Sequence, residues 1–482
     1  MTSSCEHYDI VLIGSGSGNS LPGPEFADKR IAYIDRGVGP QRVFGGTCLN
    51  LGCIPTKMFV HTADAASTPE RAGRLNVKMQ EAAADFPAIR DRIFARIDPI
   101  SEAGEHYRAA HEDNENLTLL RGTARFVGER EVEVELTDGG TRRLSGDQFL
   151  LAAGSRPVIP PIPGLVEANP LTSDTVMRIE QLPDSIAILG SGVIALEFAH
   201  VLHSLGVTVH LLVRSAQILR SLDADISERI TEAAVSRYTT HLQTELTRAE
   251  RLADGTLRLE LEKNGQRSEL QVAEILVATG RRPNSDLLEA ARGGLSVDEA
   301  GRVRVDAHQQ ALNDAGQVID GIWAIGDLSS PAQLKHVANH ELRIARHNML
   351  HPDDQLRSDT MPIPLAVFTQ PQIASVGMSE VQARDWSERS GRQIRVKTQM
   401  YADIAYGWAM EDQSSFLKLI VDAESTEILG AHIIGPQAST LIQQLIHAMS
   451  FGQKARDVAR GQYWIHPALP ELVENALLGV ID

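Results

Sequence analysis

Cysteine is scarce in this sequence: 3 residues among 482, at positions 5, 48 and 53. A disulfide framework needs more of them, and an oxidising compartment as well. Positive charge is also in deficit, with 46 Lys and Arg against 63 Asp and Glu and a net charge of −17. Nucleic acids and anionic membranes select basic surfaces, so neither is expected as a partner. No apolar run approaches the roughly 18–20 residues that span a bilayer. The stretch YDIVLIG begins at Tyr8 with no basic, signal-like segment before it, which leads to a cytoplasmic expectation. Repeat arrays and low-complexity tracts are absent too. What remains is a chain 43% hydrophobic and 23% charged, the balance of a globular protein. Its length suggests about three domains.

Two segments share one pattern: Tyr8–Ser20 (YDIVLIGSGSGNS) and Ser185–Ser215. Each is an apolar run, a glycine-rich turn, a helix-like stretch and a second apolar run, which is how a dinucleotide-binding βαβ unit begins. In the first, Gly14 and Gly16 supply the tight turn and let backbone approach a pyrophosphate on the following helix N-terminus. Asn19 stands at the third glycine position, with Gly18 before it. Asp35 ends the next strand, where an acid binds ribose hydroxyls. In the second unit, Gly190, Gly192 and Ala195 fit the fingerprint better. Its second strand ends LLVRSAQILR, with no acid near Val213. Arg214 and Arg220 can hold a 2′-phosphate that a carboxylate would repel, so NADPH is expected. The residues alone leave ordinary surface arginines open.

Between the units, Phe59 to about Ala110 reads as helix and Leu117–Leu151 as short alternating strands. Leu257–Leu261 and Glu274–Ala278 read as strands closing the second unit. Ile322–Ala324 is a short strand leading to Asp327, where an acid can bond a flavin's ribityl hydroxyls. HVANHE, from His336, can begin a helix aimed at that flavin, its dipole favouring negative charge there. From Met361 the chain reads as strands and a helix over Ser439–Phe451. This tail carries no phosphate loop and is expected to be a third, different domain.

Cys48 and Cys53 lie in GGTCLNLGCIPTK, Gly45–Lys57. Structural zinc sites use C-x2–4-C in two halves, and no second half is evident, so no metal is expected. In a reducing compartment a close pair is more often catalytic. Lys57 lies one helical turn after Cys53, where a cation favours a thiolate. Reducing a disulfide also needs a proton donor. The tail offers His466 with Glu471, a base and an orienting carboxylate. Spacing alone does not single His466 out from the 16 histidines.

The cysteine segment closely resembles the redox-active motif of the class I pyridine nucleotide–disulfide oxidoreductases. GSGSGN, AAGSRP (Ala152–Pro157), GSGVIALEFA, ATGRRPN (Ala278–Asn284), AIGD and HPALPE extend the resemblance along essentially the whole chain. The cysteine motif is highly specific; the glycine motifs alone are not. The resemblance implies an α/β fold: two Rossmann-like domains, for FAD and NADPH, and a C-terminal α+β dimerisation domain. The boundaries expected are 1–160 for the FAD domain, with a helical insert at about 59–110, then 161–280 for NADPH, 281–352 for a central FAD-side domain, and 353–482 for the interface.

It also implies roles. Cys53 faces the flavin and Cys48 attacks the substrate. Lys57 and Glu197 pair near flavin N5, and Asp327 binds the ribityl chain. Further cofactor contacts are implied at Gly46, Thr47, Gly154 and Gly280, and at Arg281, Gly326 and Ala338. The protein is expected to be a homodimer in which His466 and Glu471 serve the partner's disulfide. GSGSGNS, LKHVANHE, AYGWAMED and GQYWIHPALPELVENALLG are similar to the mycothione-reducing branch. The implied substrate is therefore a low-molecular-weight thiol disulfide, mycothione first, with glutathione disulfide as the alternative. A dihydrolipoamide enzyme ranks lower because the acid near Val213 is missing. Mercuric and large thioredoxin reductases need C-terminal redox residues, and no cysteine follows Cys53. An FAD transhydrogenase would have no use for the cysteine pair. One departure is Val193, where NADPH-using relatives carry an aromatic gate over the flavin.

Overall fold

The computed structural model describes residues 5–80 and 83–481. Its first sheet grows from apolar strands that do not alternate, the pattern of strands covered on both faces. Ile31–Asp35 is buried at every position. Glu6–Ile13 runs parallel to it on one side and to Thr141–Leu151 on the other. Leu117–Gly128 extends the sheet beyond Ile31–Asp35. Val318–Ala324 returns from far along the chain to pair with Thr141–Leu151 at its C-terminal end. Gly14 and Asp35 thus meet at the carboxyl edge of neighbouring parallel strands, the place where open α/β sheets bind ligands.

The second sheet is four parallel strands, in the order Glu274–Val277, Ser185–Leu189, Thr208–Val213 and Thr239–Leu242. Of the two strands expected to close this unit, the second does. The first lies in a separate antiparallel sheet of Glu245–Arg251, Leu257–Lys263 and Gln266–Val272. Its sequence, LRLELEK, alternates apolar and charged residues. That suits a strand with one wet face rather than the buried edge of a parallel sheet.

The third sheet is five antiparallel strands, in the order Pro364–Val367, Ile373–Gly377, Ile428–Ile434, Phe416–Asp422 and Ile394–Met400. The helix Glu471–Ile481 buries Leu472, Val473, Ala476, Leu477 and Val480, a single apolar stripe. The second and third sheets are joined through Lys418, which is 2% exposed. Its Nζ lies 2.9 Å from Asp223, 2.8 Å from Asp225 and 2.6 Å from Glu380. Burial alone would lower the lysine's pKa; hydrogen bonds to three carboxylates outweigh it and raise the pKa.

Three helical expectations change. The stretch 59–110 divides into Cys53–Ala66, Thr68–Gly73 and Phe86–Ala110, and the part at 81–82 lies outside the described residues. Asp85 sets the start of the last helix by accepting from Ala88 N, with Pro87 in the first turn. The stretch Ser439–Phe451 is two short helices, Ala438–Leu441 and Gln443–Ser450. In the first glycine unit the expected helix is a single 3-10 turn, Ser17–Ser20. Pro22, Gly23 and Pro24 follow at once, and proline removes a donor and clashes with the preceding turn. The second unit keeps a full helix, Val193–Ser204. Among the described residues no helix is long and apolar enough to cross a membrane.

Candidate active site

The carboxyl ends of the parallel strands in the first and second sheets open into one cavity of about 1780 Å3. That exceeds the roughly 300–1,000 Å3 of an ordinary small-molecule pocket and suits two extended ligands. Gly14, Gly16, Asp35, Gly46 and Thr47 line it from the first sheet. Gly154, Gly280, Arg281, Gly326, Asp327 and Ala338 line its middle, and Gly190, Gly192, Arg214 and Arg220 its second unit. Cys48, Cys53, Lys57 and Glu197 line the same space.

The glycine loops have the shape a dinucleotide needs. Gly14 has φ +105°, and a Cβ there would sit 2.2 Å from the Ala152 carbonyl oxygen. Gly190 has φ +144°, and its Cβ would meet the Ala278 carbonyl oxygen at 2.4 Å. Gly16 and Gly192 face open space instead, so backbone alone borders the cavity there. Asp35 accepts hydrogen bonds from Ser15 N at 3.1 Å and Gly37 N at 3.0 Å. Burial raises its pKa against those bonds. Gly18 performs the packing task of a third glycine, since its Cβ would press on Leu12 and Ala152 at 3.0 Å. Asn19 is thereby free to act as a hub, accepting from Tyr33 at 3.1 Å and Arg108 at 3.0 Å.

Cys48 and Cys53 are free thiols; Cys53 is exposed and Cys48 half-buried. Cys48 donates a hydrogen bond to Cys53, which raises the Cys48 pKa and lowers that of Cys53 to about 7, with Lys57 adding to the lowering. The pair is therefore chemically asymmetric. Lys57 Nζ lies 2.5 Å from Glu197 Oε1. Phe368 completes the pair from the third domain: its N–H donates to Glu197 at 3.0 Å, and its ring faces the Lys57 ammonium at 4.5 Å.

A second clamp joins the same two helices. His200 is 0% exposed and lies 2.9 Å from Asp64, while Arg237 Nη1 donates to His200 Nδ1 at 3.0 Å. A guanidinium only donates, so the imidazole proton sits on Nε2, toward Asp64. Asp327 accepts from Ser155 at 2.6 Å, and Ser155 in turn accepts from Arg281 at 2.8 Å. Glu341 accepts from Gly326 N at 2.7 Å and holds the turn that presents Asp327. Arg214 and Arg220 are exposed, and Val193 lines the cavity as a small wall residue.

His466 and Glu471 are brought together but kept apart from the cysteines. His466 Nδ1 lies 2.5 Å from Glu471 Oε1, yet neither residue lines the cavity. The His466 side chain is 69% exposed. Sequence reading missed Ser17, Ser155, His200, Asp64, Phe368 and Lys335. The signal for Lys335 was adjacent: the helix expected from His336 begins one residue earlier, at Lys335.

Residues 8–341 match the pyridine nucleotide-disulphide oxidoreductase family, and residues 363–477 match that family's dimerisation domain. Mycothione reductase of Mycobacterium tuberculosis is 46% identical over 98% of this chain and 100% of its own length. Dihydrolipoyl dehydrogenase of Mycobacterium leprae is 29% identical over 98% of both chains. The Cu(II) complex of the HOCl-induced flavoprotein disulfide reductase RclA from Escherichia coli aligns with a TM-score of 0.83 and 27% identity, over 98% of this chain and 100% of that one. The α/β architecture with a C-terminal dimerisation domain, expected from the sequence, is what these matches and the sheets show. Because one match runs through both glycine loops and the Cys48–Cys53 segment, and another through the tail, the chain belongs to the pyridine nucleotide-disulphide oxidoreductases.

Proposed function

We propose that this chain reduces mycothione to mycothiol, with NADPH as the reductant and FAD between it and the Cys48–Cys53 disulfide. The observation that carries the reading is the cysteine pair set in one cavity between two glycine loops. The likeness to mycothione reductase over the full length supports the substrate. Residues 1–160 and 281–352 form the FAD side, 161–280 the NADPH domain and 353–482 the dimer interface. Gly14, Gly16, Gly46, Thr47, Gly154, Gly326, Asp327 and Ala338 border the FAD. Gly190, Gly192, Gly280 and Arg281 border the NADPH, whose 2′-phosphate Arg214 and Arg220 hold.

When bound, FAD and NADPH supply an electron pair that opens the Cys48–Cys53 disulfide. Cys53 keeps the negative charge, stabilised by the Cys48 hydrogen bond and the Lys57 ammonium, which Glu197 holds in place. Cys48 keeps a proton that a base must remove before its sulfur attacks the substrate disulfide. His466 is that base. Glu471 fixes its Nδ1, leaving Nε2 to take the proton and return it to the departing thiol. His466 lies outside its own chain's cavity, so it serves the disulfide of a second copy across the dimerisation domain. Cys53 then attacks Cys48 in the mixed disulfide, restoring the Cys48–Cys53 bond and releasing the second half as a thiolate that takes its proton from solvent. Anaerobic addition of NADPH to the purified holoenzyme tests the scheme: two thiols should appear per chain, and none in Cys48→Ser.

A further inference from the structure

The first glycine loop lacks the helix that such loops use for charge. After Gly16 comes only the 4-residue turn Ser17–Ser20, whereas Gly192 is followed by a 12-residue helix. Few aligned peptide dipoles follow the first loop, and a pyrophosphate brings two negative charges. Those charges need another partner.

The cavity's cations narrow the choice. Lys57 is committed to Glu197, and Arg281 donates to Ser155. Arg214 and Arg220 belong to the second unit, and Arg36 follows Asp35 at the far strand end. Lys335 is different. It opens the helix Lys335–Leu350 and reaches the loop itself, its Nζ 3.0 Å from Ser17 Oγ. Ser17 Oγ is also 3.0 Å from Asn339 Oδ1, one turn along the same helix. Among the described residues Lys335 has no carboxylate partner. A half-buried ammonium without a counter-ion, touching a glycine loop that lacks its helix, marks where an anion sits.

We propose that Lys335 is the cation that binds the FAD pyrophosphate, replacing the charge of the missing helix. The proposal rests on the FAD reading above. The same ammonium also acts electrostatically on Cys48, so the rival role is activation of that thiol.

The test is the FAD dissociation constant of wild type, Lys335→Met, Lys335→Gln and Lys335→Arg, measured by reconstituting apoprotein and following flavin fluorescence. Losing a charge-assisted hydrogen bond should weaken FAD roughly ten- to hundredfold in the Met and Gln variants. Lys335→Arg should stay near wild type. Added salt should weaken wild type more than the neutral variants. The Gln variant decides the matter if the Met variant folds poorly by circular dichroism. FAD bound as tightly by the neutral variants as by wild type overturns the proposal. So does unchanged FAD affinity with slower alkylation of Cys48, which assigns the lysine to the thiol. Wild-type protein that takes up no FAD overturns the functional reading as well.

Discussion

Lys57 Nζ and Glu197 Oε1 stand 2.5 Å apart on two helices, Cys53–Ala66 and Val193–Ser204, that begin at the cysteine motif and at the second glycine loop. The pair ties the redox centre to the second nucleotide unit. The Glu197 side chain is only 8% exposed, against 32% for Lys57. Removing the lysine strands a buried carboxylate. Lys57→Met should therefore destabilise the protein by about 1–3 kcal/mol, measured by urea unfolding. It should also raise the pH midpoint of Cys53 alkylation, since the ammonium no longer favours the thiolate.

The pH dependence of the reduced enzyme follows from Cys53. Its pKa is lowered to about 7, first by the Cys48 hydrogen bond. An unfolded cysteine titrates near 8.5. A group depressed on folding stabilises the protein fully above its unfolded pKa, and the contribution is lost as pH falls through the folded one. The reduced protein should thus lose stability as pH drops from about 8.5 to 7. Iodoacetamide labelling should show a midpoint near pH 7, located at Cys53 by mass spectrometry and absent in Cys53→Ser.

Legibility in the sequence followed the range of each interaction. The glycine loops were readable because a φ of +105° at Gly14 and +144° at Gly190 constrains residue type locally. The parallel strands were readable from unbroken apolar runs. The missing first helix was also written locally, in Pro22 and Pro24, but the βα pattern outweighed them. Leu257–Lys263 was placed in the wrong sheet because period-2 alternation names a strand, not its neighbours. Asp64 and His200 are 136 residues apart, and Ser17 and Lys335 are 318 apart. No spacing rule links such pairs; only the folded chain does.

In the proposed function, cofactor choice is assigned to Arg214 and Arg220, both exposed and both lining the cavity. Replacing either with alanine should raise the KM for NADPH roughly tenfold or more, the loss of one charge-assisted contact. The KM for NADH, which has no 2′-phosphate, should barely change. Steady-state kinetics with both nucleotides check this, and equal losses for both would assign the arginines elsewhere.

His466 and Glu471 act late in the scheme. His466→Ala should leave NADPH-driven opening of the Cys48–Cys53 disulfide intact in stopped-flow traces, while disulfide turnover falls by about 10²–10⁴. Glu471→Gln should reduce turnover less, since the imidazole remains but its tautomer is no longer fixed by charge. Equal loss in both half-reactions would place the pair outside proton transfer.

The most direct measurement is NADPH oxidation by the purified holoenzyme with mycothione and with glutathione disulfide as competing substrates, run beside Cys48→Ser. The proposed function requires a higher kcat/KM for mycothione and no turnover of either disulfide by the variant. A higher kcat/KM for glutathione disulfide, or full turnover by Cys48→Ser, would contradict it.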